Sequence, residues 1–67
     1  MANTRKEFGQ KIVEARTIKR LTQTELAERV GITQNNLSRI ENGKYNPGLD
    51  ILIKIANALE LELDFIY

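Results

Sequence analysis

Residues 33–41, with the sequence TQNNLSRIE, carry the side chains best suited to chemistry in this chain. Leu37 and Ile40 give the segment one apolar side at helical spacing. The opposite side carries two amides, a hydroxyl and a guanidinium, from Gln34, Asn35, Ser38 and Arg39. Amides donate and accept hydrogen bonds at once, and a guanidinium donates through a planar fork. Such a face can recognise a partner through hydrogen bonds.

Other chemistry is poorly represented. The 67 residues include no cysteine and no histidine, so disulfides, thiolate metal sites and the usual general base are excluded. No constellation of carboxylates or lysines replaces them, and we expect no enzyme, no catalytic residue, no metal site and no cofactor. No apolar run approaches the roughly 18 residues of a membrane span, and no signal peptide follows Met1. We therefore expect a single small cytoplasmic domain over residues 1–67.

The net charge of +1 hides an uneven distribution. Residues 1–48 hold nine Lys/Arg against five Asp/Glu, a net charge of +4. Residues 49–67 hold one lysine against four acids, a net charge of −3. A basic part and an acidic tail indicate two surfaces with different partners, although a chance scatter of solvated charge gives the same pattern in some proteins.

The pattern of apolar residues and helix caps predicts an all-α chain. The segments TRKE and TQTE, which start at Thr4 and Thr22, both match the capping box that begins a helix. The only turn-rich break is NGKYNPG at 42–48. The predicted helices cover residues 4–19, 23–30, 34–41 and 49–59, with a short fifth helix near 62–66. On the fourth helix, we expect the buried side to comprise Leu49, Leu52, Ile55, Ala56 and Leu59.

The join between the second and third helices is the most informative element. Only GIT, residues 31–33, separates them, so these helices must cross steeply rather than lie antiparallel. Gly31 can adopt the positive φ that ends a helix abruptly, and Ala27 is small enough for a close approach. With Leu37 and Ile40 packing onto this corner, the spacing is that of a helix-turn-helix at 23–41, although a generic helical corner is the alternative.

From Gly9 to Ile66 the sequence resembles the phage-repressor-like (Xre/Cro/cI-type) helix-turn-helix family. The resemblance lies in TQTELA, VGIT, LSRIENGK, the proline after the loop, and KIANAL. It implies a compact, five-helix, lambda-repressor-like fold that binds operator DNA, commonly as a dimer. The sequence departs from the family at Ala15, which replaces a larger residue, at Gly48, where Ser or Thr is usual, and at Glu60, where Gly is common.

The resemblance also implies roles for individual residues. The third helix enters the major groove, where amides match adenine and arginine matches guanine. We expect base contacts from the four polar residues Gln34, Asn35, Ser38 and Arg39. Phosphate contacts are expected to flank them, from Gln23, Thr33, Asn36, Asn42 and Lys44.

Two opposite charges lie on apolar stripes. Arg16 follows Ile12 by four residues and Glu41 follows Leu37 by four, so we expect the two charges to pair, as the family's first and third helices commonly do. The alternative is that both reach solvent at the edges of their stripes.

The tail has more apolar residues than one core requires, and such a patch often marks an interface. Ile51, Phe65 and Tyr67 are therefore candidates for a dimer contact formed by the C-terminal helices over 49–66. Ile53 is equally compatible with a buried position.

These observations predict a transcriptional regulator, most simply a homodimeric repressor, that binds double-stranded operator DNA and associates with the nucleoid when bound. An antitoxin with a toxin partner, or a restriction–modification controller, would have the same fold. A protein-interaction module that has lost DNA binding is the alternative of another class, and loss of the polar face would be its sign.

Overall fold

The computed structural model describes residues 4–61, without the side chain of Thr4. Helix α1 spans Thr4–Ile18, α2 spans Gln23–Val30, α3 spans Gln34–Glu41 and α4 spans Leu49–Leu59. The expected all-α architecture is confirmed, and three of the four helices have the predicted bounds. The first helix ends one residue earlier than predicted.

The prediction of five helices is wrong for this structure. Residues 4–61 form four helices. The segment predicted as a fifth helix, near 62–66, lies outside the described residues, as do Phe65 and Tyr67. None of the helices described is long and apolar enough to cross a membrane.

The start of each helix of the helix-turn-helix is fixed by a threonine. Thr22 forms the predicted capping box with Glu25, because Thr22 Oγ1 accepts from Glu25 N (3.0 Å) while Thr22 N donates to Glu25 Oε1 (2.8 Å). Thr33 caps α3, its Oγ1 accepting from Asn36 N at 3.1 Å. Between them, Gly31 has a φ of +84°, as expected for the residue that ends α2.

The core lies where all four helices meet. It is built from residues of every helix, namely Phe8, Ile12, Leu26, Ala27, Val30, Leu37, Ile40, Ile55 and Leu59. One prediction for α4 is wrong. Leu49 is predicted on the buried side, but as the first helical residue it is 54% exposed. Ile51, a candidate for the dimer contact, is half-buried and packs against the core.

Gly9 allows a close approach between α1 and the end of α3. A Cβ atom built on Gly9 would lie 2.3 Å from the backbone oxygen of Glu41. Only a residue without a side chain therefore lets α1 lie against the end of α3 at this distance. This contact sets where α3 lies on the domain, and hence where its polar face points.

Candidate nucleic-acid interface

The exposed face of α3 carries the residues predicted to contact bases. Gln34, Asn35 and Arg39 are exposed, while Ser38 is half-buried. These positions surround the outer side of the helix, opposite the fully buried Leu37. The helix therefore presents a polar surface supported by an apolar one, which is the arrangement that a helix needs to enter a groove as a rigid unit.

The predicted pair of charges forms beneath this face. Arg16 Nε donates to Glu41 Oε2 at 2.8 Å, and a second guanidinium nitrogen donates to Glu41 Oε1 at 3.2 Å. The remaining terminal nitrogen donates to the backbone oxygen of Leu21 at 2.9 Å. The side chain of Glu41 is 3% exposed and that of Arg16 is 16% exposed. The pair joins α1 to the last residue of α3.

A chain of hydrogen bonds runs from this pair to the exposed face. Gln23 Nε2 donates to Glu41 Oε1 at 2.7 Å, and Gln23 Oε1 accepts from Gln34 Nε2 at 2.8 Å. A carboxylate can only accept, so the amide nitrogen of Gln23 must face Glu41. Its oxygen must then face Gln34, which in turn must offer its nitrogen. Glu41 thus fixes the direction of both amides.

We call this chain of hydrogen bonds the amide relay; it comprises Arg16, Glu41, Gln23 and Gln34. The relay determines which hydrogen-bonding groups of Gln34 remain free. One N–H of Gln34 is used by Gln23. Its second N–H and its oxygen remain available to a partner. One donor beside one acceptor is the pattern that complements the N7 and N6 atoms of adenine in the major groove.

Two of the predicted contact residues bind each other at the end of α3. Asn42 Nδ2 donates to the backbone oxygen of Ser38 at 2.8 Å and lies 3.5 Å from its hydroxyl oxygen. Asn42 thereby caps the helix that Ser38 belongs to. Lys44, two residues further along, is exposed. Its ammonium group lies on a flexible stem that suits a phosphate better than a base edge.

The start of α2 already holds a carboxylate. Bonds with the backbone and then with the side chain of Thr22 hold the pKa of Glu25 below its ordinary value. Gln23, which the sequence predicts to contact a DNA phosphate, lies at this end of α2. It is half-buried, and its amide bonds with Glu41 and with Gln34.

Sequence reasoning missed two contacts within the face. One is the Gln23–Gln34 bond, which joins residues 11 positions apart on different helices. The other joins Arg39 and Tyr45, with Arg39 Cζ 5.2 Å from the centroid of the Tyr45 ring. Helical periodicity finds neighbours within one element. It gives no signal for partners that meet across a turn or loop.

Comparisons with known proteins agree with this geometry. A family model described as helix-turn-helix matches residues 12–66. The HTH-type transcriptional regulator y4dL of Sinorhizobium fredii is 40% identical over 63 residues, which are 94% of this chain and 32% of that protein. The immunity repressor protein of Bacillus phage phi105 is 38% identical over 58 residues, 87% of this chain and 40% of that protein.

A solved structure has the same fold. The restriction–modification controller protein C.AhdI from Aeromonas hydrophila superposes with a TM-score of 0.82 at 34% identity, over 92% of this chain and 90% of that one. The chain thus spans nearly all of this controller, but only about a third of the y4dL regulator.

Proposed function

The chain belongs to the helix-turn-helix family, and from this premise we propose that it binds double-stranded DNA sequence-specifically and regulates transcription as a repressor. Helix α3 is the reading element and lies in the major groove. The observation that carries the proposal is the amide relay. It orients the exposed amide of Gln34 before any partner arrives, so less conformational freedom is lost on binding.

Direct reading of bases is assigned to four residues of α3: Gln34, Asn35, Ser38 and Arg39. The oriented Gln34 amide matches adenine, and the guanidinium fork of Arg39 matches the O6 and N7 atoms of guanine. Ser38 contributes through its hydroxyl, which can still donate its proton while Asn42 lies beside its oxygen. Sequence preference arises from these contacts.

Backbone contacts are assigned to residues around the face: Gln23, Thr33, Asn36, Asn42 and Lys44. Gln23 donates one N–H of its amide to Glu41, and its second N–H is the one assigned to a phosphate. The capping role of Thr33 does not conflict with this, because a hydroxyl that accepts one bond can donate its proton to a phosphate. The net charge of +4 over residues 1–48 favours approach of a polyanion to this part of the chain. Such contacts fix the register on DNA without reading its sequence.

The protein acts as a homodimer in this proposal. Two-fold symmetry would hold two copies of α3 about 34 Å apart, one turn of DNA, so the operator is an approximate palindrome. The contact is assigned to residues 49–66, with Ile51, Phe65 and Tyr67 as candidates. Phe65→Asp should lower both the dimer population in sedimentation and the affinity for a palindromic site. A monomeric variant with unchanged affinity would contradict the dimer.

Selection of binding sites from a random DNA pool tests the proposal most directly. The native protein should enrich one family of sequences. Selection of none would instead favour a protein-interaction module that retains only the fold. If an operator is found, its position decides the role, since an operator beside a toxin gene or a restriction gene would identify an antitoxin or a controller.

Variants of Arg39 and Lys44 then distinguish a residue that recognises bases from one that contacts phosphates. Arg39→Ala should lose about 1–3 kcal/mol per half-site and relax preference at one base pair. Lys44→Ala should weaken every sequence alike and lower the salt slope by about one per protomer. Affinities for the operator and its single-base variants, measured at several salt concentrations, check both. An even loss for Arg39→Ala across all variants would refute its role as a reader.

A further inference from the structure

The contact between Arg39 and Tyr45 has no role in the assignments above. The guanidinium carbon of Arg39 lies 5.2 Å from the centroid of the Tyr45 ring, within the range of an attractive cation–π contact. Arg39 belongs to the exposed face of α3, and Tyr45 belongs to the loop that follows the helix. The ring is 39% exposed, so it is not a core residue.

The loop holds the ring close to the end of α3. The backbone N–H of Lys44 donates to the oxygen of Arg39 at 2.9 Å, and that of Gly43 donates to the oxygen of Ile40 at 3.1 Å. On the other side of Tyr45, Pro47 is buried and has a fixed φ. The backbone is therefore held on both sides of Tyr45, which keeps its ring near the end of α3 and beside the long, flexible side chain of Arg39.

Stacking and base recognition use different parts of a guanidinium. An aromatic ring contacts its flat face, whereas the N–H donors lie in its plane and point outward from the edge. Arg39 can thus stay on Tyr45 while its edge donates to a base. Arginine otherwise loses much rotamer freedom when it forms a bidentate contact. A side chain that is already restrained loses less.

We propose that Tyr45 is a positioning residue that holds Arg39 ready to recognise guanine. The inference rests on the proposed DNA-binding function and extends the reading face beyond α3 into the loop. The aromatic ring carries the effect, and the hydroxyl of Tyr45 does not.

Four variants test this on the selected operator and its single-base variants: Tyr45→Leu, Tyr45→Phe, Arg39→Ala and the double variant Tyr45→Leu/Arg39→Ala. Tyr45→Leu should weaken operator binding about two- to fivefold per half-site, because the unrestrained Arg39 then loses more rotamer freedom on binding, by an amount similar to an exposed cation–π contact. The loss should concern the same base pair at which Arg39→Ala relaxes preference. Tyr45→Phe, the matched control, should bind like the native protein.

The double variant separates positioning from an independent contact. In the absence of Arg39, Tyr45→Leu should cause no further loss, because the ring then has nothing to hold. A full, additive loss in the double variant would overturn the proposal. So would an equal loss for Tyr45→Phe and Tyr45→Leu over all sequences, which would mean that the hydroxyl binds a phosphate. Native affinity and preference in Tyr45→Leu would overturn it as well.

A measurement without DNA distinguishes this proposal from the proposed function. In NMR spectra, the side-chain protons of Arg39 should be shifted upfield by the ring in the native protein and in Tyr45→Phe, and not in Tyr45→Leu. No shift in the native protein would overturn the positioning role even if DNA is bound specifically. If the native protein selects no DNA sequence, the proposed function fails and positioning for guanine fails with it, whatever the NMR shift.

Discussion

Two ion pairs, one from the last turn of α1 and one from the residue that follows it, join this helix to different elements. Arg16 pairs with Glu41 of α3, where the side chains are 16% and 3% exposed. Lys19 pairs with Glu60, at the end of α4, where they are 33% and 78% exposed. The first pair is connected through Gln23 to Gln34 on the exposed face of α3, whereas the second joins the end of α1 to the end of α4. The more buried of the two pairs is therefore the one that holds α3.

The ends of the helices differ in the same way. Each helix described is followed by a residue in the left-handed conformation and by the 6→1 hydrogen bond of a Schellman motif. This residue is Gly31 for α2 and Gly43 for α3. It is Arg20 for α1 and Glu60 for α4, with φ of 59° and 58° respectively. The two helices of the helix-turn-helix therefore end at a glycine, which adopts this conformation without strain, whereas α1 and α4 end at a residue that is strained by it.

The largest effect is expected from Arg16→Met. Removal of one partner leaves a buried Glu41 carboxylate with only Gln23, at a cost of about 3 kcal/mol of unfolding free energy. Urea unfolding followed by circular dichroism measures it. Lys19→Met is the matched control at the exposed pair and should change stability far less. If the two variants unfold alike, the contrast between the pairs is wrong.

The tight contact of α1 with α3 predicts the next effect. Gly9→Ala should destabilise the domain by about 1–3 kcal/mol, because its methyl group would overlap the Glu41 backbone. Alanine is intrinsically the better helix former, so a clash must explain any loss. Gly48→Ala serves as the control, since a Cβ there meets nothing within 4 Å. A Gly9→Ala variant as stable as the control would show that the helices can separate without cost.

Substitutions of the left-handed residues at two helix ends should change the stability of the domain in opposite directions. Gly31→Ala introduces a side chain at a positive φ and should cost about 1 kcal/mol. Arg20→Gly removes such strain and should add up to about 1 kcal/mol, reduced by the entropy of glycine in the unfolded chain. Thermal unfolding of both variants checks the signs. A loss of stability in Arg20→Gly would mean that the Arg20 side chain has a stabilising role.

The smallest effect concerns the exposed pair. The hydrogen bond from Lys19, followed by its charge, lowers the pKa of Glu60 below its ordinary value of 4.5. A carboxyl group with a lowered pKa in the folded state stabilises the protein above that ordinary value, and the contribution is lost as pH falls through the folded-state pKa. Glu60→Gln should therefore lower the melting temperature slightly at pH 7 and have no effect near pH 2. High salt should reduce the difference at pH 7. A difference that is constant with pH would contradict it.

Periodic signals in the sequence were sufficient for much of the fold. The capping residues Thr22 and Thr33 and the spacing around Gly31 predicted α2, α3 and the turn between them, because these depend on local hydrogen bonds and backbone angles. The pairing of Arg16 with Glu41 was likewise predicted from local spacing, because each charge lies on the apolar stripe of its helix. Local patterns have a direct structural meaning.

The failures lie where distant segments meet. Nothing local to Gly9 says that another backbone passes within contact of it, and nothing near Gln23 says that its amide is shared by Glu41 and Gln34. Ile51 illustrates the same limit, since its burial depends on what packs beside α4. Contacts across helices depend on packing angles, which a single sequence does not state.

The amide relay also limits how this domain could evolve or be redesigned. Glutamate at position 34 would suit a cytosine, because a carboxylate accepts from its amino group. However, Gln23 presents an oxygen to this position, and its amide cannot turn round without presenting that oxygen to the Glu41 carboxylate. Gln34→Glu would thus bring two acceptors together, whereas changes at Asn35 meet no such obstacle. Under the proposed base contacts, new operator preferences should arise more readily through Asn35 than through Gln34, because hydrogen bonds from the interior of the domain restrict the side chains allowed at position 34 and not those at position 35.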